Sequence, residues 1–221
     1  MAEKQTLQQV RFREHEGIEL GAHIGGPEKG HPVVLLHEAW GCTNSTLAFG
    51  LELANRNCRV FIPEYFRGQT ASTTQERDRM LQRFNSSITT IVENTIQGAM
   101  QHLGGRCHLV GSGFGGSLAL RAQQVLKSVR TVSTIYSLPW SERWCFDKVN
   151  VPLLIIRGSY DEWITEATVK SVLKVSPDTS RDIVLHGQHG FLNEEQGNFI
   201  HAHRAKVAEH VAGWLGSIGS A

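Results

Sequence analysis

The sequence predicts an α/β protein with a doubly wound, mostly parallel sheet and an antiparallel hairpin at its start. Three observations lead there. Short runs rich in Val, Ile and Leu recur along the chain, and several are apolar on both faces, as strands covered by helices on each side require. Helical periodicities lie between those runs. The first two runs instead alternate polar and apolar residues about a turn.

The elements follow in order. Residues 10–12 and 18–24 flank the turn-prone His15-Glu16-Gly17 and form the hairpin, after which Gly25-Gly26-Pro27 breaks the pattern. Further strands are expected at 32–36, 59–63, 107–110, 131–136, 153–157 and 182–185. Helices are expected at about 44–56, 75–102, 114–127, 165–175 and 199–216. The last is the clearest: Ala205, Ala208, Val211, Ala212 and Leu215 recur at three- and four-residue spacing, with Trp214 beside that stripe.

Composition bounds the function. The 221 residues are read as one domain, 1–221, with 40% hydrophobic and 19% charged residues, in the globular range. A formal net charge of +1 offers nothing to nucleic acid or an anionic membrane. The N-terminal MAEKQTLQQV lacks an apolar leader core and no 18-residue apolar run exists, so a cytoplasmic protein is expected. Cys42, Cys58, Cys107 and Cys145 lack CxxC or metal-ligand spacing, and Cys58 and Cys107 open buried strands as reduced structural thiols. No metal site is expected.

In a sheet of this kind a site forms beyond the carboxyl ends of the strands, and the chemical motifs all fall there. Gly111-Ser112-Gly113-Phe114-Gly115-Gly116 joins the strand ending at Val110 to a helix, the context of a nucleophile elbow. The pattern G-x-Nuc-x-G puts Gly113 at the nucleophile position. Making Ser112 the nucleophile would put Phe114 where a small residue belongs. Glycines 111, 113 and 116 also satisfy G-x-G-x-x-G, but they lie mid-chain and the next strand ends in Tyr136-Ser137 without an acid, against a dinucleotide site. Asp161 ends the turn Gly158-Ser159-Tyr160-Asp161, and His189 lies in His186-Gly187-Gln188-His189-Gly190-Phe191. Elbow, acid and histidine in that chain order suit a general-base imidazole held by a carboxylate. Trp140, Trp144 and Phe146 stand either as walls of the pocket or as a local apolar cluster.

A second carboxylate, Glu38, sits in His37-Glu38-Ala39-Trp40-Gly41. Here the chain resembles the dienelactone hydrolase family of α/β-hydrolases, which carries a glutamate in a similar run. Pro63-Glu64-Tyr65-Phe66-Arg67-Gly68, the Gly111–Gly116 elbow and the Asp161 and His189 turns resemble that family's remaining motifs, in the same order. The resemblance implies an α/β-hydrolase fold and cofactor-free hydrolysis of a small ester or lactone; a monomer or small homo-oligomer is expected. The resemblance also implies that Glu38 controls the nucleophile's proton and that the N–H groups of Ala39 and Phe114 hold the oxyanion. Trp40, Ser112 and Asn193 are expected toward the substrate, and Arg67 either binds an anionic substrate or pairs with Glu64 or Glu38.

Two departures stand out. The family's cysteine is Gly113 here, and the arginine after its motif histidine is Asn193. Glycine has no side-chain atom to form an acyl-enzyme, so activity is expected to be reduced or lost. Three explanations are open: a non-catalytic member that binds a ligand in the old pocket, an introduced or incidental substitution, or another group such as a water activated by His189, Ser112 or Cys42.

Overall fold

The computed structural model describes residues 5–85, 90–138 and 148–218. Eight strands form one sheet in the order β1-β2-β4-β3-β5-β6-β7-β8. β1 (Leu7–Arg13) and β2 (Glu19–Gly25) are the antiparallel hairpin, and β2 also pairs antiparallel with β4 (Cys58–Pro63). β3 (His31–Leu36), β4, β5 (Cys107–Ser112), β6 (Val129–Ile135), β7 (Leu153–Gly158) and β8 (Arg181–Leu185) run parallel. The expected doubly wound α/β architecture is present.

Alternation along the strands builds two cores. Val33 and Leu35 of β3 face one layer and Val34 and Leu36 the other; Leu154 and Ile156 of β7 divide from Leu153 and Ile155 in the same way. The first layer is covered by α1 (Asn44–Ala54) through Phe49 and Leu53, and by α6 (His201–Ile218). α6 buries Val207, Ala208, Val211 and Leu215, while Ala205, Ala212 and Trp214 lie at the margin of that stripe. The opposite layer carries α2 (Thr74–Asn85), α3 (Gln97–His102), α4 (Phe114–Val125) and α5 (Glu166–Lys174).

The stretch expected as one helix over 75–102 is more complex. α2 occupies its start, residues 86–89 lie outside the described residues, and Ile91–Ile96 is π-helical before α3. This wider turn buries Asn94 and Thr95 against the hairpin. Thr95 Oγ1 donates to Glu14 Oε2 at 2.8 Å and the His15 amide donates to the Asn94 carbonyl. Trp140, Trp144, Phe146 and Cys145 also lie outside the described residues; Cys42, Cys58 and Cys107 are free thiols.

Connectivity places the site. From β3 the chain moves outward to β4, then returns to place β5 on the other side of β3. The strand order therefore reverses between β3 and β5, where α/β sheets open a crevice at their carboxyl ends. Leu36 pairs with Gly111 in that register, so the loops carrying Glu38 and Gly113 leave the sheet side by side.

Candidate active site

At the end of β5 the backbone turns sharply at Gly113, with φ 50° and ψ −120°, and α4 begins at Phe114. An L-residue adopts that conformation only under strain, and it is the conformation a nucleophile elbow uses. Neighbouring glycines permit the turn. A Cβ on Gly111 would lie 2.4 Å from the Gly115 backbone, and one on Gly115 would lie 2.2 Å from the Leu36 carbonyl. These close approaches pack helix against strand. At Gly113 a Cβ would instead meet Glu38 Cγ at 3.5 Å and Oε2 at 3.6 Å, ordinary contact distances. The turn thus keeps the shape and the room for a side chain.

Glu38 leaves β3 in a tight loop closed by the Gly41 amide on the Glu38 carbonyl at 3.0 Å. Its carboxyl is buried and almost enclosed by donors. Tyr136 Oη–H donates to Oε1 and Asn193 Nδ2–H donates to Oε2 at 2.9 Å, with the Ser112 side chain close by. Burial raises the carboxyl above its ordinary value of 4.5, outweighing these hydrogen bonds and the nearby His189.

The acid and the histidine come from the next two strands. Asp161 lies beyond β7 with a side chain shut off from solvent, and Oδ1 accepts the backbone N–H groups of Trp163 at 2.9 Å and Ile164 at 3.0 Å. His189, beyond β8, directs Nδ1 to Asp161 at 3.1 Å from Oδ2. Burial alone would raise the Asp161 carboxyl; the His189 hydrogen bond and charge, with those two amides, bring it below its ordinary 3.8. Because a carboxylate only accepts, the neutral imidazole carries its proton on Nδ1 and keeps Nε2 as a base. Close contact of the two turns fixes the pair: the Tyr160 amide donates to the Gly187 carbonyl at 2.9 Å, and a Cβ on Gly158 would lie 2.3 Å from that same oxygen.

Gly113, Glu38, Asp161, His189, Ser112 and Asn193 thus gather at one end of the sheet. Ser112 is buried and lines the same small cavity as Glu38 and Tyr136. Asn193 is buried as well, one side of its amide on Glu38 and the other accepting the Glu195 N–H at 3.0 Å. Ala39 follows Glu38 in its tight loop, and Phe114 is the first residue of α4, where helix amides favour negative charge. Trp40 is buried beneath the Arg77 guanidinium, 5.3 Å from the ring centre. Arg67 lies elsewhere: it lines an open groove of about 550 Å³ with Arg11, Leu20, Gly21 and Glu64 beside the hairpin. Cys42 is a poor nucleophile, because burial and the neighbouring Glu64 push its thiol up to about 12.

Sequence reasoning missed Tyr136. It follows β6 with a φ of 39°, fully buried, its hydroxyl on Glu38 and its ring edge-on to His189 at 5.2 Å and to Phe191 at 4.9 Å. One side chain therefore touches both the glutamate and the histidine. Its only mark in the sequence is its place just after the strand next to the elbow strand; the strain of its backbone shows only in the structure.

Among the described residues, no His, Cys, Asp or Glu cluster has the arrangement of a metal site, and no helix is long and apolar enough to cross a membrane. The fold is shared with solved structures at low sequence identity. A dienelactone hydrolase from Anabaena variabilis superposes with a TM-score of 0.71 at 19% identity, over 97% of this chain and 99% of that one. A dienelactone hydrolase-like promiscuous phosphotriesterase from metagenomic libraries gives 0.76 at 14%, over 98% and 99%. The 2-hydroxy-6-oxo-6-phenylhexa-2,4-dienoate hydrolase of Rhodococcus sp. RHA1 gives 0.63 at 15%, over 93% and 99%. No curated protein sequence matches this one. The family profile described as the dienelactone hydrolase family matches residues 20–219, and the chain belongs to that family.

Proposed function

We propose that the crevice at Gly113 takes a small ester or lactone, and that turnover there is reduced or lost because no side chain can form an acyl-enzyme. The observation that carries this reading is the Asp161–His189 pair set beside an elbow whose backbone keeps nucleophile geometry. Hydrolysis by this set of groups is a single displacement. His189 Nε2 removes a proton from water, the hydroxide adds to the carbonyl carbon, and the N–H groups of Ala39 and Phe114 hold the oxyanion. Collapse of the tetrahedral intermediate expels the alkoxide, which takes the proton back from the imidazolium. Loss of a nucleophile elsewhere leaves about 10³–10⁴-fold acceleration over water.

The second reading, a ligand-binding protein without turnover, is favoured by Gly113 itself. Restoring the side chain separates the two. With a small activated ester as substrate, Gly113→Cys is expected to raise kcat/KM on the order of 10²-fold or more and to produce a burst of product. No gain in a folded Gly113→Cys protein overturns the hydrolase reading of the crevice.

A further inference from the structure

A second space adjoins Glu38. It is a small cavity of about 10 Å³ with Glu38, Thr43, Ser45, Thr46, Ser112, Tyr136 and Asn193 on its polar side and Leu35, Phe49 and Leu192 on its apolar side, and neither Gly113 nor His189 lines it. That volume is about what one water requires, and such a site supplies its two to four polar partners. Thr43 precedes α1 without capping it through its side chain, and the first amides of a helix have no partner within the helix. Both facts favour water at this spot.

Ser45, in the cavity wall, also reaches the loop after β8. Ser45 Oγ–H donates to Glu195 Oε2 at 3.0 Å and accepts the Glu194 N–H at 2.9 Å. Glu195 is exposed, and its charge reaches Tyr136, the donor to Glu38 Oε1. Exchangeable groups therefore run from the buried carboxyl toward solvent on a line that avoids Gly113 and His189, although Ser112 of the elbow walls the cavity.

We propose that the cavity holds one ordered water, and that Glu38 exchanges its proton with solvent through that water, Ser45 and Glu195. The carboxyl proton passes to the water as the water gives one of its own to Ser45 Oγ. Ser45 then hands its hydroxyl proton to the Glu195 carboxylate, which releases it to bulk. The water and Ser45 Oγ end with their original bonds and Glu38 is left as the carboxylate; once the water and the hydroxyl have rotated, the reverse passage returns a proton from solvent to Glu38 and completes the exchange. The path serves the site while a bound molecule covers the elbow. It bears on catalysis only through the hydrolase reading above, but its test follows the proton without turnover, so either idea can fail alone.

The probe is deuterium oxide. The intact protein is mixed from H₂O into D₂O at a pH equal to the ordinary glutamate value of 4.5, and the protonated-carboxyl infrared band is followed. The component that vanishes in Glu38→Gln and shifts in Glu38→Asp reports position 38. Ser45→Ala is expected to slow its exchange on the order of tenfold, and Glu195→Gln to slow it less, with the band position unchanged. A crystal structure is expected to show a water about 3 Å from both the Glu38 carboxyl and Ser45 Oγ. Unchanged exchange in both variants, no Glu38-dependent band, or a dry cavity at high resolution overturns the proposal.

Discussion

Asn193 Nδ2 donates to Glu38 Oε2 at 2.9 Å, joining the loop after β3 to the loop after β8 across 155 residues of chain. The Asn193→Leu substitution keeps the branching of the side chain but removes both the donor to Glu38 Oε2 and the acceptor of the Glu195 N–H. It is expected to cost about 1–3 kcal/mol, read as a lower urea midpoint at unchanged slope. A midpoint equal to the parent's means that another donor satisfies that oxygen.

Gly113 is held at φ 50°, yet a Cβ there meets nothing closer than 3.5 Å. Gly113→Ala therefore tests backbone strain without a clash. The expected loss is about 1–3 kcal/mol, measured by denaturant unfolding. Equal stability of Gly113→Ala and parent contradicts a strained elbow.

The two carboxyls act on stability with opposite signs. Glu38 is raised above 4.5, so the folded state keeps a proton that the unfolded chain has lost; its contribution is full at low pH and fades as pH rises through that window. Asp161 is lowered below 3.8, so its contribution is full above that value and is lost as pH falls through the folded value. Glu38→Gln is thus expected to gain on the parent as pH rises from 4.5. The deficit of Asp161→Asn is expected to be largest at neutral pH and to shrink below 3.8. Urea unfolding from acid to neutral pH reads both slopes, and parallel curves for variant and parent contradict the assignments.

Tyr136→Phe removes the hydroxyl that donates to Glu38 and keeps the ring against His189 and Phe191. It is expected to cost about 1–3 kcal/mol and to extend the falling limb assigned to Glu38 toward higher pH. Heteronuclear NMR is expected to show the His189 ring signals near their original positions. A large displacement of those signals means that the hydroxyl, rather than the ring, holds the imidazole.

What was legible in the sequence follows from local physics. A parallel strand covered on both sides must be apolar on both faces, so 32–36, 107–110 and 153–157 lie within observed strands. Asp161, His189 and Glu38 stood out because turns at strand ends carried acids and a histidine in order. The illegible parts depend on distant partners. Tyr136 matters through Glu38, 98 residues earlier, and the π-helical turn brings Thr95 to Glu14, 81 residues away. Of the roles open to Arg67 in the sequence, the structure places it with Glu64 along the hairpin groove, set by the loop after β4.

The reversal of strand order between β3 and β5 has a kinetic consequence. Glu38, Gly113, Tyr136, Asp161 and His189 each follow a different strand, and none of these strands pairs through a local turn. Closing β3 onto β5 means enclosing β4 and the helices between them, a long loop whose entropy is lost before the strand contacts compensate it. The crevice is therefore assembled by the slow, cooperative completion of the parallel sheet, and a chain lacking its C-terminal strand would carry the elbow without the base.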